Sequence, residues 1–229
     1  MKETKANKLL QIVEDNYNEI ASNFSVSRDK KLWPEVIFQA KKVKAYDRIL
    51  DVGCGNGRLV EEIDKEAIYL GIDNSQELLK IAKERYKDRK NTNFLELSVL
   101  ELEKIKETNF DFIFSIAMLH HIPSKELRIK SLKSMKDKLN DKGEMLVTVW
   151  NMWAWKKFRG QIIKSYFNFL KGLDTRDLLF YWKGGKESLR YYHAFTLKGL
   201  KKEIRRAGLE VVSSKKGKGS LYVWVKKNF

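Results

Sequence analysis

Apolar residues near the start of the chain recur at three- and four-residue spacing. Leu9, Leu10, Val13, Tyr17 and Ile20 predict an amphipathic helix over residues 5–23. A loop of serines and charges follows from Asn23 to Trp33, and Pro34 suits the first turn of a second helix running to about Val43. From there short apolar runs alternate with amphipathic stretches. The runs predict strands near 47–52, 67–72, 92–97, 110–116 and 144–150, with helices near 57–65, 75–87 and 124–139. Ser75 and Ser124 read as N-caps, each with a glutamate (Glu77, Glu126) in the first helical turn. Gly143 sits in an Asn-Asp-Lys-Gly turn after the third of these helices. A last helix (197–207) ends at Gly208 and leads into two closing strands, 209–214 and 220–226. Strand–helix alternation at this spacing predicts an α/β fold with a mostly parallel sheet covered on both faces. Ligands then bind at the carboxyl ends of the strands.

The richest such end is Arg48-Ile-Leu-Asp-Val-Gly-Cys-Gly-Asn-Gly57, an apolar strand running into a glycine turn. Gly53, Gly55 and Gly57 strip side chains from the turn, so a ligand can lie on bare backbone and positive φ angles cost little. The helix expected after it aims its amides at the same place. Asp73, at the tip of the second strand, suits ribose hydroxyls. A dinucleotide site normally shows G-x-G-x-x-G, whose amides hold a pyrophosphate. Here Asp51 stands inside the strand end, where a carboxylate pairs with an ammonium and repels a pyrophosphate. The pattern resembles the first motif of class I S-adenosylmethionine-dependent methyltransferases, whose cofactor carries an ammonium and a ribose and no phosphate. That resemblance implies a Rossmann-like, seven-stranded sheet of order 3-2-1-4-5-7-6. It assigns the cofactor to Asp51, Gly53, Cys54, Gly55, Asn56, Gly57, Asp73 and Asn74, to Ser98 and Val99 at the third strand's end, and to Ile116 and Ala117 at the fourth's. Ser98 stands where this superfamily often has an aspartate for the adenine amino group; a hydroxyl accepts more weakly, and the Val99 amide remains to read the ring.

Charge changes the picture of the last third. The chain of 229 residues carries a net +16, yet residues 1–150 hold 27 Lys+Arg against 25 Asp+Glu, and residues 151–229 hold 19 against 5. A basic surplus confined to one segment points to an anionic partner there, against the plainer reading of a solvated lysine surface. Within it, residues 152–187 interleave Trp153, Trp155, Phe158, Tyr166, Phe167 and Phe169 with Lys156, Lys157, Arg159, Lys164 and Lys171. This basic, aromatic insertion reads as a lid over the site, as a nucleic-acid platform, or, through 152–171, as a peripheral membrane contact. The single cysteine, Cys54, excludes an internal disulfide or a zinc cluster, so no metal is expected and the compartment is reducing. The polar, lysine-rich N-terminus has no signal-peptide core, and no apolar run is long enough to span a bilayer, which predicts a cytoplasmic chain. At 229 residues it is expected to be one domain, with residues 1–45 as an N-terminal helical cap.

Segments outside the cofactor motifs resemble one family, the tRNA wobble-uridine carboxymethyl methyltransferases. Tyr17-Asn-Glu-Ile-Ala-Ser-Asn-Phe-Ser25, Ser27-Arg28 and Trp33-Pro34 are similar to its Y-x-x-I-A-x-x-F-S-x-T-R…W-P segment, with one residue more between Arg28 and Trp33. Ser115-Ile-Ala-Met-Leu-His120-His121 is similar to S-I-A-V-I-H-H, Val149-Trp150 to its V-W-A, and Arg190-Tyr-Tyr-His-Ala-Phe195 to R-Y-Y-H-x-F. Asp177–Lys183 matches D-V-F-V-P-W-K loosely, without the proline. The resemblance implies esterification of the 5-carboxymethyluridine carboxylate, tRNA as partner, and a small zinc-binding activator subunit. Such a carboxylate is ionised at neutral pH and needs alignment rather than a general base. On that reading Arg28 and Arg190 clamp carboxylate or phosphate, and His120 positions the substrate. Trp33, Tyr192 and His193 shape the uridine pocket. Of the adjacent histidines, at most one faces the site, and plain packing competes for either. Two other readings stand beside it: a small-molecule or lipid-precursor methyltransferase of the same fold, and a non-catalytic RNA-binding subunit on a methyltransferase scaffold.

Overall fold

A computed structural model describes residues 1–27, 31–182 and 188–228. Two helices, α1 (Glu3–Ser27) and α2 (Pro34–Ala40), precede the sheet. Then follow β1 (Arg48–Val52), β2 (Ile68–Asp73), α3 (Gln76–Arg85), β3 (Thr92–Glu96), β4 (Phe110–Ile116), α4 (Lys125–Lys138) and β5 (Leu139–Trp150). The remainder comprises α5 (Lys156–Lys164), β6 (Asp177–Trp182), β7 (Ser188–His193), α6 (Leu197–Arg206), β8 (Leu209–Lys216) and β9 (Ser220–Lys227).

The main sheet has the order β3-β2-β1-β4-β5-β9-β8. Strands β1 to β5 pair in parallel, and β9 runs antiparallel to both β5 and β8. Seven strands thus take the expected order 3-2-1-4-5-7-6 once β6 and β7 are set aside. Those two form a separate antiparallel hairpin that the sequence reading left inside the insertion and its flank.

Consecutive strand residues face opposite layers. Leu50, Ile113 and Met145 pack under α4 and α6, whereas their neighbours Ile49, Phe114 and Leu146 pack with Val36, Leu59 and Val60 on the other side. Strands buried on both faces read as continuous apolar runs. Each such side chain, fully buried, stabilises the fold by roughly 1.5–3 kcal/mol.

Two local expectations are corrected. The helix predicted at 57–65 is a single 3-10 turn, Arg58–Glu61. The connection from β1 to β2 runs from 53 to 67, and the glycine turn takes its first five residues, so the helical part closes after one turn before the chain enters β2. Gly143 lies inside β5 rather than in a turn before it, beside the register shift between Phe110 and Phe112. A Cβ there would stand 2.7 Å from Leu139 Cδ1 and 2.9 Å from the Phe110 carbonyl, so the strand needs a glycine to fold closely over β4. Ser75 and Ser124 do cap α3 and α4, accepting the Leu78 and Leu127 amides.

Candidate cofactor and substrate site

The cleft opens at the carboxyl ends of β1, β2 and β4. Its walls include Asp51, Gly53, Cys54, Gly55, Asn56, Asp73, Asn74, Ser98, Val99, Ile116 and Ala117, with Trp33 at the rim. The backbone brings these together because the turn after β1 doubles back on β2: the Gly53 and Cys54 amides both donate to the Ile72 carbonyl, at 2.8 and 2.9 Å. Gly53 has φ +76°, and a Cβ on it would stand 2.6 Å from Met118 Cγ. Gly57, also at positive φ, lies outside the wall; its missing side chain leaves room for Phe94 and Tyr86 beneath the turn. Cys54 is buried, and burial pushes its thiol pKa well up, so it is an inert wall atom.

Asp73 locks the turn. One carboxylate oxygen accepts the Gly55 amide at 2.8 Å, the other the Ser75 amide at 2.9 Å. Each oxygen keeps a lone pair, so ribose hydroxyls can still be held there. Asp51 is buried with the Tyr69 hydroxyl donating to it at 2.8 Å. Burial raises its pKa to about 7; the Tyr69 hydrogen bond opposes that rise and the Asp73 charge adds to it. A buried carboxylate this uncomfortable gains from a cationic ligand. The residues therefore fit S-adenosylmethionine: an acid for its ammonium, an acid for its ribose, and bare glycine backbone between. Ser98 also caps the 3-10 turn behind it, accepting the Leu100 amide at 3.3 Å.

Helix α1 roofs this cleft and ties itself to the loops after β1, β2 and β4. Leu10, Val13 and Tyr17 face the cavity. Glu14 accepts from Asn74 at 3.2 Å, Asn18 accepts from the Ser75 hydroxyl at 2.8 Å, and Asn56 donates to Ser25 at 3.0 Å. The Tyr17 hydroxyl meets His121 Nε2 at 2.8 Å. Sequence reasoning placed Tyr17 on a core stripe and missed this polar row. Its signal was available in Glu14, Tyr17 and Asn18, which share a helix face at i, i+3 and i+4.

Of the two histidines, His121 reaches the cleft and His120 does not. His121 lines the cavity beside Ile122 and Trp150. Burial lowers its pKa to about 3, with the Arg190 charge adding to the effect against the Tyr191 backbone. His120 is fully buried, 5.2 Å from the Trp150 ring and 5.6 Å from Tyr192, and neither ring nitrogen has a hydrogen-bond partner among the described residues. The expectation that His120 positions substrate is thus replaced by packing within an aromatic stack. Arg58, which sequence reasoning overlooked, lines the cleft with its guanidinium 5.6 Å from the Trp33 ring.

Arg190 borders a smaller cleft that shares Val13, Tyr17 and His121 with the first. Arg190 and Tyr192 occupy one face of β7, and the alternation turns Tyr191 and His193 to the other. Tyr192 stacks on Trp150 at 5.1 Å and on Phe180 at 5.6 Å. His193 is corrected: it leaves the uridine pocket and meets Asp177 at 2.8 Å, where Tyr191 also donates at 2.8 Å. Burial lowers the His193 pKa well below its ordinary value, so this contact is a hydrogen bond from neutral imidazole. Arg128 lies under the same hairpin. It makes a two-pronged pair with Glu203 at 3.0 and 3.1 Å and reaches Asp174 at 3.4 Å. Arg28 lies outside the described residues.

No helix among the described residues is long and apolar enough to cross a membrane, and no group of three His, Cys, Asp or Glu among them is placed to hold a metal ion.

Residues 49–143 match the model of a methyltransferase domain family. The tRNA (carboxymethyluridine(34)-5-O)-methyltransferase of Saccharomyces cerevisiae is 33% identical over 156 residues, covering 68% of this chain and 53% of the relative. The mouse tRNA (carboxymethyluridine(34)-5-O)-methyltransferase ALKBH8 is 33% identical over 140 residues, 61% of this chain and 20% of that one. The chain thus spans about half, or less, of these two relatives. A putative methyltransferase of Encephalitozoon cuniculi is 28% identical over 92% of this chain and 93% of its own length. Among solved structures, an S-adenosylmethionine-dependent methyltransferase from Methanosarcina mazei superposes with a TM-score of 0.69 at 19% identity, covering 86% of this chain and 99% of that one. Fold, glycine turn and domain match agree: this chain carries a methyltransferase domain on the class I S-adenosylmethionine-dependent methyltransferase fold, and it resembles the tRNA carboxymethyluridine methyltransferases.

Proposed function

We propose that the chain is an S-adenosylmethionine-dependent methyltransferase acting on tRNA, and that its acceptor is the carboxylate of 5-carboxymethyluridine at the wobble position. One observation carries the acceptor class. Of the titratable side chains lining the cleft, Asp51 and Asp73 are given to the cofactor, and the one imidazole, His121, has its Nε2 in a hydrogen bond with the Tyr17 hydroxyl at 2.8 Å while burial lowers its pKa to about 3. Such an imidazole is a poor general base at neutral pH. An amine or phenol acceptor gains from a base, whereas a carboxylate arrives ionised. When bound, S-adenosylmethionine supplies an electrophilic methyl group. The residues of this chain then bind, align and exclude water.

In this reading Asp51 holds the cofactor's ammonium, and Asp73 its ribose. Asn74, Ser98, Val99, Ile116 and Ala117 frame the remainder. Arg190, behind the Tyr17–His121 pair, clamps the acceptor carboxylate or a phosphate, with Arg28 assigned the same role from the motif match. Tyr192 and Trp33 form the base pocket. The +14 surplus of residues 151–229 suits a polyanion. Two of the relatives named above, from Saccharomyces cerevisiae and mouse, are named tRNA (carboxymethyluridine(34)-5-O)-methyltransferases, which supports the same substrate. A requirement for a small zinc-binding activator subunit, and a cytoplasmic site of action, belong to this reading as well.

Incubation with methyl-labelled S-adenosylmethionine and total tRNA, followed by nucleoside digestion, tests it. The expected product is a labelled uridine methyl ester whose label mild alkali releases. Alkali-stable label, or transfer to a lipid or small-molecule extract with none to tRNA, overturns it. Activity of the chain alone, unchanged by an added zinc-binding subunit, removes the activator from the reading.

A further inference from the structure

The insertion divides into an inner and an outer half. Trp150, Trp155 and Phe158 form a continuous row of rings, with centroids 5.5 and 5.8 Å apart, and its inner end is the cleft wall at Trp150. Ile162 and Met152 complete the buried side. Beyond Ile162 the pattern reverses. The 3-10 stretch Ser165–Lys171 exposes Phe167 to 67% and Phe169 to 60%, with Tyr166 also exposed. Three uncovered rings within four residues stand between the exposed Lys164 and Lys171. From residue 145 to 173 the chain holds five Lys or Arg and no Asp or Glu. Folded chains leave such a surface uncovered where something else covers it.

Resting on the proposed tRNA substrate, we propose that the 164–171 protrusion is a stacking platform for single-stranded RNA bases beside the target nucleotide. Rings at successive exposed positions give flat faces to unpaired bases, and the bracketing lysines meet phosphates. The absence of carboxylates over 145–173 removes the repulsion a polyanion would meet. Attachment to the ring row ending at Trp150 links the platform to the cleft.

The test compares the full chain with Phe167→Ala/Phe169→Ala and with Lys164→Ala/Lys171→Ala. Fluorescence anisotropy measures binding to an RNA hairpin with an anticodon-like loop and to a blunt RNA duplex of equal length. These side chains are exposed, so both variants are expected to melt with the parent. The double Phe variant is expected to lose about tenfold to a hundredfold in hairpin affinity with the duplex affinity unchanged. The double Lys variant is expected to flatten the salt dependence of both by about one to two units of slope. Hairpin affinity equal to the parent's in the Phe variant overturns the platform. So does loss of sedimentation with phosphatidylserine vesicles, or conversion of a dimeric parent to a monomer, while RNA affinity stays unchanged. Methyl transfer to tRNA by the parent, together with unchanged binding by the Phe variant, overturns the platform alone. A parent chain that binds no RNA overturns the proposed function and the platform together.

Discussion

The sheet up to Trp150 and the segment from Asn151 to His193 are held together by different physics. In the sheet, polar groups gather at the strand tips, and the interior is aliphatic and aromatic, as with Leu50, Ile113, Leu146 and Val147. In the segment, and where helices α4 and α6 meet it, burial includes charge. Asp177 is buried against His193 and Tyr191, and Arg128 reaches Asp174 from α4 while gripping Glu203 of α6. Burial raises the Asp177 pKa to about 6, a rise that the Tyr191 hydrogen bond and the Arg128 charge oppose. The first arrangement tolerates repacking, because apolar contacts are graded. The second is all-or-none, because removing one partner strands the others away from water.

Arg128→Ala attacks that difference with the largest expected effect. It leaves Glu203 buried without its two-pronged partner and takes the Asp174 contact from the hairpin. Breaking a buried pair costs about 3–5 kcal/mol. In a chain of this size that lowers Tm by roughly 6–20 °C. Thermal melting measures the loss, and limited proteolysis is expected to cut between α5 and β7 before it cuts the sheet. A loss under about 1 kcal/mol would show that the apolar cluster of Phe158, Ile162, Leu178 and Tyr192 holds the segment instead.

Gly53→Ala makes the matching attack on the sheet's tip. The residue sits at φ +76°, where a side chain costs about 1–2 kcal/mol, and its Cβ collides with Met118. The expected result is a stability loss of about 1–3 kcal/mol in denaturant titration and at least about a tenfold weaker S-adenosylmethionine affinity by calorimetry. Unchanged affinity would separate the turn from the cofactor.

The same contrast explains what was legible in the sequence. Continuous apolar runs and glycine spacing are local signals, so strands β1 to β4, the caps Ser75 and Ser124, and the Asp51–Asp73 cleft could be placed from residues alone. The helix expected at 57–65 failed because apolar spacing does not separate an α-helix from the single 3-10 turn, Arg58–Glu61, that stands there. His193 went to the wrong pocket because β7 was not recognised as a strand, so its alternation from Tyr192 was invisible. His120 and His121 could not be told apart, since both rings pack against Trp150 and Tyr192, 4.3 Å from each other, and a one-turn 3-10 helix leaves no periodic mark of which one meets the cleft. The roof residues Glu14 and Asn18 pair with side chains 60 and 57 positions away, and a single sequence carries no trace of such partners.

A smaller effect tests Asp51. Its pKa of about 7 against an ordinary 3.8 means that the folded, ligand-free chain holds a proton the unfolded chain has lost between about pH 4 and 7. The contribution of this group to stability therefore falls as pH rises through that window. Cofactor binding runs the opposite way, because an ammonium needs the ionised carboxylate. Below pH 7, S-adenosylmethionine affinity is expected to rise about tenfold per pH unit, and Asp51→Asn to bind weakly with no such slope. A flat profile in the parent chain would mean that another group holds the ammonium.

The smallest effect is expected at a surface ion pair between the last third and helix α2. Lys215 on β8 reaches Glu35 on α2 at 2.7 Å, with the lysine side chain 60% exposed. The lysine hydrogen bond holds the Glu35 carboxyl below its usual range, so the pair contributes above about pH 4.5 and loses that contribution as pH falls. Solvent screens it, and an exposed pair of this kind contributes about 0.2–1 kcal/mol. Lys215→Ala is expected to shift Tm by no more than about 4 °C at neutral pH, and by less in high salt or acid. Denaturant titration at two ionic strengths checks this. If the loss instead approached that of Arg128→Ala, the basic surplus of the last third would be part of what folds the chain, and the contrast between a fold held by its interior and a charged surface kept for a partner would fail.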